Sequence, residues 1–146
     1  MPFFLPAFFA RAVPLGLCLS AALLGGCAVL DSAPLPARAR QALLPTDVLL
    51  LGEQHDAPEH QALERETVEW LAARGALAAL VMEMAERGRN TEGLAPDASE
   101  SAVQSALRWS DAAWPWASYG PVAMAAVRAG VPVLGGNLPR KALSAT

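Results

Sequence analysis

The sequence predicts an α/β domain in which a parallel sheet with flanking helices has the order βαβαβ. Three short apolar runs, at residues 47–51, 77–84 and 131–136, alternate with stretches of helical periodicity. The runs are apolar on both strand faces, as in parallel strands that helices cover on both sides. Alternating strands and helices, joined by right-handed crossovers, produce a parallel sheet.

Capping patterns predict where the helices begin. Asp56 and Glu59 form an Asp-x-x-Glu pattern, which predicts a helix to about residue 74. Asp97 and Glu100 repeat the pattern and predict a helix to about residue 109. The aromatic stretch 109–120 is predicted to be irregular, and a third helix is expected over 121–129.

The N-terminal 26 residues are typical of a bacterial lipoprotein signal peptide. They contain one basic residue, Arg11, no acid, and a long apolar region ending in small residues. A membrane-spanning helix is the alternative, but Pro14 and several glycines disfavour it. Leu24-Gly25-Gly26-Cys27 resembles a lipobox, which predicts lipidation of Cys27, although a cysteine can also simply end an apolar stretch. Ala28 after the cysteine favours the bacterial outer membrane.

The remaining chain divides into a tether at 27–45, with three prolines, and one domain at 46–146. Removal of Arg11 with the signal leaves ten basic and fourteen acidic groups, a formal net charge of −4. No basic cluster follows a nucleic-acid backbone, so we expect no DNA or RNA partner.

Polar side chains interrupt the apolar runs at the carboxyl ends of the predicted strands, where open α/β sheets bind ligands. Glu53 and His55 follow the first strand, Glu83 closes the second, and Asn137 and Arg140 follow the third. Such a set suits a transition metal or a carboxylate–histidine pair for proton transfer. The simpler alternative makes Glu53 a helix cap and His55 a loop histidine. Glu83 is expected to be buried and to need a partner.

Three segments together resemble the ChaN-like haem-binding lipoproteins, whose superfamily includes the Tiki proteases and erythromycin-esterase-like enzymes. They are "LLLGEQHDAPEHQ" (49–61), "LVMEM" (80–84) and the block from "RWSDAAWPWASYG" to "NLPR" (108–140). The positions that match the family motifs are Gly52, Glu53, His55, Glu83, Tyr119, Asn137 and Arg140.

The resemblance implies a lipid-anchored haem-binding protein of iron uptake rather than an enzyme. His55 and Tyr119, the only tyrosine, are the candidate ligands of the haem iron, since phenolates ligate haem. Packing against Trp114 and Trp116 is the other role open to Tyr119. Cations past the strand ends could pair with haem propionates or remain solvated. These cations are Arg87, Arg89, Arg140 and Lys141.

Two further expectations follow from the resemblance. Family domains usually continue beyond "NLPR", so this chain is expected to be an incomplete domain. A second copy of the chain and an outer-membrane haem receptor are the expected protein partners, beside haem and the membrane.

The competing hypothesis is a metal-dependent hydrolase in which Glu53, His55 and Glu83 hold a metal or act as acid and base.

Overall fold

The computed structural model of the protein describes residues 36–139, which hold helices and a two-stranded parallel sheet. In chain order these elements are α1 (Ala37–Ala42), α2 (Pro58–Ala72), β1 (Leu80–Glu86), α3 (Glu100–Leu107), α4 (Trp116–Arg128) and β2 (Val133–Asn137). The predicted signal peptide, Cys27, Arg140 and Lys141 lie outside the described residues. Within residues 36–139 no helix has the length and apolar character needed to cross a membrane.

The sheet confirms the predicted α/β class with parallel strand pairing. Leu80 pairs with Val133 and Met82 with Gly135, and the register then shifts so that Glu86 pairs with Asn137. The shift is an irregularity in β1, which bends the strand at the end that carries the polar residues.

The core lies between the sheet and α4. This helix is apolar on most of its circumference and is largely buried by α2, α3 and β2, with Ala117, Pro121 and Arg128 exposed. Side chains from every neighbour meet its buried face. They are Val68 of α2, Met82 and Ala85 of β1, Val103 and Leu107 of α3, and Val133 of β2.

Residues 47–51 do not form the predicted first strand. Val48 and Leu50 are exposed, Leu50 to 88%. A strand exists through hydrogen bonds to a neighbouring strand, and within 36–139 only β1 and β2 pair in this way. The Val48 carbonyl instead accepts a hydrogen bond from the Thr46 hydroxyl at 3.0 Å. The apolar run therefore predicted both a strand and its burial wrongly, because the pattern carries no information about the neighbour that a strand needs.

The predicted caps are also wrong in detail, although both helices begin within three residues of the expected position. Ala57 is the N-cap of α2, and no side chain caps it. In α3 the cap is Ser99, whose hydroxyl accepts the Ala102 N–H at 3.2 Å. A hydroxyl one residue before the helix reaches the third amide directly, which Asp97 is too far away to do.

Helix α4 begins at Trp116, so the second half of the stretch predicted to be irregular is helical. Pro115 precedes the helix, and the Asp111 carboxylate accepts the Trp116 N–H at 2.7 Å. This local anchor satisfies one of the amides that a helix start leaves without a partner. It therefore places Tyr119 on a helix rather than in a loop.

Part of the predicted tether is folded. Helix α1 lies within it, and Arg40 forms an ion pair of 3.2 Å with Glu66 on α2. The pair is partly exposed, so it contributes at most about 1 kcal/mol. It nevertheless shows that residues 37–42 contact the domain.

Candidate functional site

Glu53 and His55 form a close pair in the loop before α2. The Glu53 Oε1 atom lies 2.5 Å from the His55 Nδ1 atom. The second Glu53 oxygen accepts a hydrogen bond from Gln61 Nε2 at 3.0 Å. Only 7% of the Glu53 side chain is exposed, against 50% of the His55 side chain. A buried carboxylate therefore holds an imidazole whose other side reaches solvent.

The loop that carries this pair is folded back onto the start of α2. The Gln54 N–H donates to His60 Nδ1 at 3.0 Å, and the Gln54 carbonyl accepts the Ala57 N–H at 3.0 Å. The sequence alone predicted no role for His60. Its position one turn into the helix lets it bind the loop backbone, and this contact fixes the direction in which His55 leaves the loop.

Tyr119 of α4 approaches the pair from the core. Its hydroxyl lies 3.3 Å from His55 Nδ1, and its side chain is only 1% exposed. The short Glu53 contact requires a proton on Nδ1, so this nitrogen cannot also accept the tyrosine proton. The Tyr119 hydroxyl therefore directs its proton toward Glu53. In this tautomer the neutral imidazole keeps its lone pair on Nε2.

Glu64, on α2, adds a second carboxylate near the pair. Burial, followed by the negative charge of Glu53, raises the pKa of Glu64 to about 7, against an opposing effect of His55. Gln61 and Glu64 were both missed in the sequence analysis. Their spacing of three residues places them on one face of α2, which was the available signal.

The surroundings of Tyr119 keep it protonated. Burial, followed by the hydrogen bond to Glu53 and the charges of Glu53 and Glu64, raises the pKa of Tyr119 to about 12, above the ordinary 10. A phenolate, which is the form that ligates iron, is disfavoured in this arrangement. Tyr119 is thus placed to orient the Glu53–His55 pair.

The Tyr119 pKa can be measured directly because the chain has one tyrosine. We expect tyrosinate absorbance at 295 nm to appear near pH 12 in the folded protein and near pH 10 after unfolding in urea. Since the folded-state pKa is the higher one, the stabilisation by the phenol is complete below pH 10 and is lost as the pH rises through 12. A native titration near pH 10 would show a solvent-accessible hydroxyl and contradict the arrangement.

Trp114 forms an aromatic wall beside His55. The two rings are in edge contact with centroids 4.8 Å apart, and Trp114 also meets Tyr119 edge-on at 5.7 Å. The Trp114 carbonyl accepts a hydrogen bond from Trp109 Nε1 at 2.8 Å, which holds this segment against α3. Trp114 is therefore a fixed surface rather than a free side chain.

A cleft of about 470 Å³ opens on the side of Trp114 where the strands end. Its lining combines apolar side chains, two arginines and one acid. The lining residues are Met84, Glu86, Arg89, Leu107, Arg108, Ser110, Ala113, Trp114, Asn137 and Leu138. Trp114 thus borders both the His55 imidazole and the cleft.

The structure brings together some of the predicted site residues. Glu53, His55 and Tyr119 form one cluster, and Asn137 lines the adjoining cleft. Glu83 is exposed, contrary to the predicted burial. It lies on the same face of β1 as Val81, which is 62% exposed, and no described element covers that face. In residues 36–139 no hydrogen bond or ion pair joins Glu83 to Glu53 or His55.

The metal-dependent alternative gains no support from this geometry. In the described part of the chain, no three or more His, Cys, Asp or Glu side chains are grouped so that they could hold a metal ion. The set of Glu53, His55 and Glu83 is not assembled, because Glu83 is exposed on the sheet.

Comparison with known proteins gives one match. A family model described as "Haem-binding uptake, Tiki superfamily, ChaN" matches residues 39–146, about three quarters of the chain. The same comparison finds no match among curated proteins or among solved structures. The matched range includes the Glu53–His55 pair, Tyr119 and the cleft.

Proposed function

Because the chain belongs to the ChaN family of haem-binding uptake proteins in the Tiki superfamily, we propose that it binds haem for iron uptake. The observation that carries the proposal is the half-exposed His55 imidazole, which a buried carboxylate holds against a tryptophan wall. The sequence segments "GEQH" and "WPWASY" supply the two halves of this site.

The Glu53–His55 pair has the form of a metal-ligating histidine. Such histidines donate one ring N–H to a carboxylate or carbonyl, which fixes the tautomer and makes the other nitrogen a better donor. Here Nδ1 contacts Glu53 at 2.5 Å, and Gln61 holds that carboxylate from its other side. His55 Nε2 would therefore be the nitrogen that binds the haem iron, and the iron would supply the redox-active metal centre.

The cleft that Trp114 borders suits a flat apolar ring with charged edges. Trp114, Met84, Leu107 and Leu138 offer apolar contact, and the cleft they border also contains arginines. A ligand site of this kind combines an apolar wall with a few placed polar groups. The residues present therefore fit haem in chemical type.

We propose that His55 would ligate the haem iron and that Tyr119 orients the Glu53–His55 pair. The Tyr119 side chain is almost completely buried, so its hydroxyl is not accessible to a ligand from the solvent side. The His55 side chain, in contrast, is half exposed and accessible.

A hemin titration of the purified protein tests the proposal. We expect a shifted Soret band that saturates at a fixed stoichiometry, together with quenching of tryptophan fluorescence, because Trp114 borders the site. Electron paramagnetic resonance of the ferric complex then separates imidazole from phenolate ligation. Failure to shift the Soret band at any hemin ratio would overturn the proposed function.

We also propose that the protein acts as an outer-membrane lipoprotein attached through Cys27. The support is the Leu24-Gly25-Gly26-Cys27 sequence after an apolar segment with one charge. A haem receptor in the same membrane and a second copy of this chain are the protein partners that this role suggests. Mass spectrometry of the membrane fraction should show acyl groups on an N-terminal Cys27 peptide. A mature peptide that still spans Gly26–Cys27 would contradict the proposal.

A further inference from the structure

The cleft beside Trp114 contains more positive than negative charge, in a chain whose overall charge is negative. Arg89 and Arg108 line the cleft, and Glu86 is the one acid among the lining residues. The whole chain has fourteen acidic residues against eleven basic ones. The two arginines beside a tryptophan therefore make the cleft positive although the whole chain is negative, and a positive cleft favours an anionic ligand.

Both arginines start from fixed backbone positions. Arg89 N–H donates to the Glu86 carbonyl at 3.1 Å, and the Arg89 carbonyl accepts from Gly135 N–H at 2.8 Å. Arg89 is thus attached to both strands at the irregular end of the sheet. The backbone that carries its guanidinium group is therefore held in place by hydrogen bonds to β1 and β2.

Arg108 has an unusual conformation. It caps the end of α3 with φ 48° and ψ 48°, the left-handed region that glycine or asparagine normally occupies at this position. A residue with a Cβ is destabilised there by roughly 1 kcal/mol. Strained positions of this kind are concentrated at functional sites. This strained position lies at the lining of the cleft.

We propose that Arg89 and Arg108 recognise the two carboxylates on one edge of haem, and so determine which tetrapyrroles the cleft accepts. The inference rests on the proposed haem function. Haem presents two propionates on the same side of its ring, while its opposite side is apolar. The cleft offers the complementary kinds of group, two guanidinium groups and the apolar Met84, Leu107 and Leu138. Arginine suits this task because its planar fork pairs with a carboxylate through two hydrogen bonds.

The test compares hemin with its dimethyl ester, in which both propionates lack charge. The wild-type protein should bind hemin about 100-fold more tightly, since each charge-assisted contact contributes about one power of ten. The double variant Arg89→Gln/Arg108→Gln should lose this discrimination and bind both ligands with similar, weak affinity. The double variant Arg89→Lys/Arg108→Lys keeps both positive charges and should recover most of the preference for hemin over the ester.

Arg87→Gln is the matched control. Arg87 is two residues from Arg89 and exposed, but it does not line the cleft. We expect its removal to leave the hemin-to-ester ratio within about twofold of wild type, since a solvated charge contributes little. Circular dichroism and thermal melts verify that each variant is folded.

The outcomes separate the two hypotheses. If wild-type protein binds hemin and the ester equally, or the Gln double variant still discriminates, the arginine inference is wrong while haem binding stands. If the wild-type protein binds neither ligand, the proposed function fails and the inference fails with it.

Discussion

Replacing His55 with alanine should reduce hemin affinity by at least about 100-fold. Loss of a residue that only hydrogen-bonds to a metal ligand already reduces affinity by up to about 100-fold, and loss of the ligand itself should cost no less. The variant removes the donor nitrogen and leaves the buried Glu53 without its closest contact. The Soret band of any residual complex should resemble that of hemin bound without a protein ligand. A Soret titration and the off-rate to apomyoglobin measure both effects.

The control is His60→Asn, which removes the other histidine. His60 Nδ1 accepts the Gln54 N–H at 3.0 Å, and an asparagine oxygen can accept the same bond. Hemin affinity should change less than about threefold, since the loop backbone keeps its partner. Loss of binding in His60→Asn but not in His55→Ala would show that the imidazole was assigned wrongly.

Tyr119→Phe completes the comparison. It keeps the ring and its packing against Trp114 but removes the hydroxyl that orients Glu53 and His55. An orienting role predicts a loss of about tenfold with an unchanged ligand signature. A phenolate ligand predicts a new ferric spectrum and a loss as large as that of His55→Ala. The spectrum therefore decides between the two residues.

The sequence predicted the part of the fold that depends on local patterning. Periodicity identified α2, α3, β1 and β2, with shifts of a few residues at their ends. It did not predict that α4 begins at Trp116, because the anchor is the Asp111 carboxylate five residues earlier. It also misassigned 47–51, since an apolar run does not indicate the neighbour that a strand requires.

The site was predictable only where its residues are close in sequence. Glu53 and His55 are two positions apart, and the structure shows them in contact. Gln61 and Glu64 lie three residues apart on one face of α2, but this spacing does not indicate that the face packs against the Glu53–His55 pair. The predicted burial of Glu83 was wrong because the apolar residues next to it in sequence lie on the covered face of β1, while Glu83 lies on the uncovered face. The role of Arg108 rests on a left-handed cap, which its residue type disfavours.

The largest effect on stability is expected from Gly135→Ala, at the irregular pairing of the two strands. A Cβ atom here would overlap the Glu86 carbonyl oxygen and lie 2.5 Å from its carbon and 2.9 Å from the Ala85 carbonyl carbon. These are backbone atoms of β1, so they cannot rotate away, and the strands must separate. Overpacking of this kind costs about 1–3 kcal/mol or more. Urea denaturation followed by circular dichroism measures the change in the free energy of unfolding.

Gly136→Ala is the matched control for this clash. Its added Cβ would meet Val81 Cγ1 at 2.9 Å, but that side chain is 62% exposed and can change rotamer. We expect a destabilisation of less than about 1 kcal/mol. Gly135→Ala should also weaken hemin binding, because separated strands would displace two residues that line the cleft. The Gly135 N–H donates to the Arg89 carbonyl, and Asn137 is the last residue of the same strand. If Gly135→Ala proves as stable as Gly136→Ala, the close approach of β1 and β2 is wrong, and the frame that positions Arg89 loses its basis.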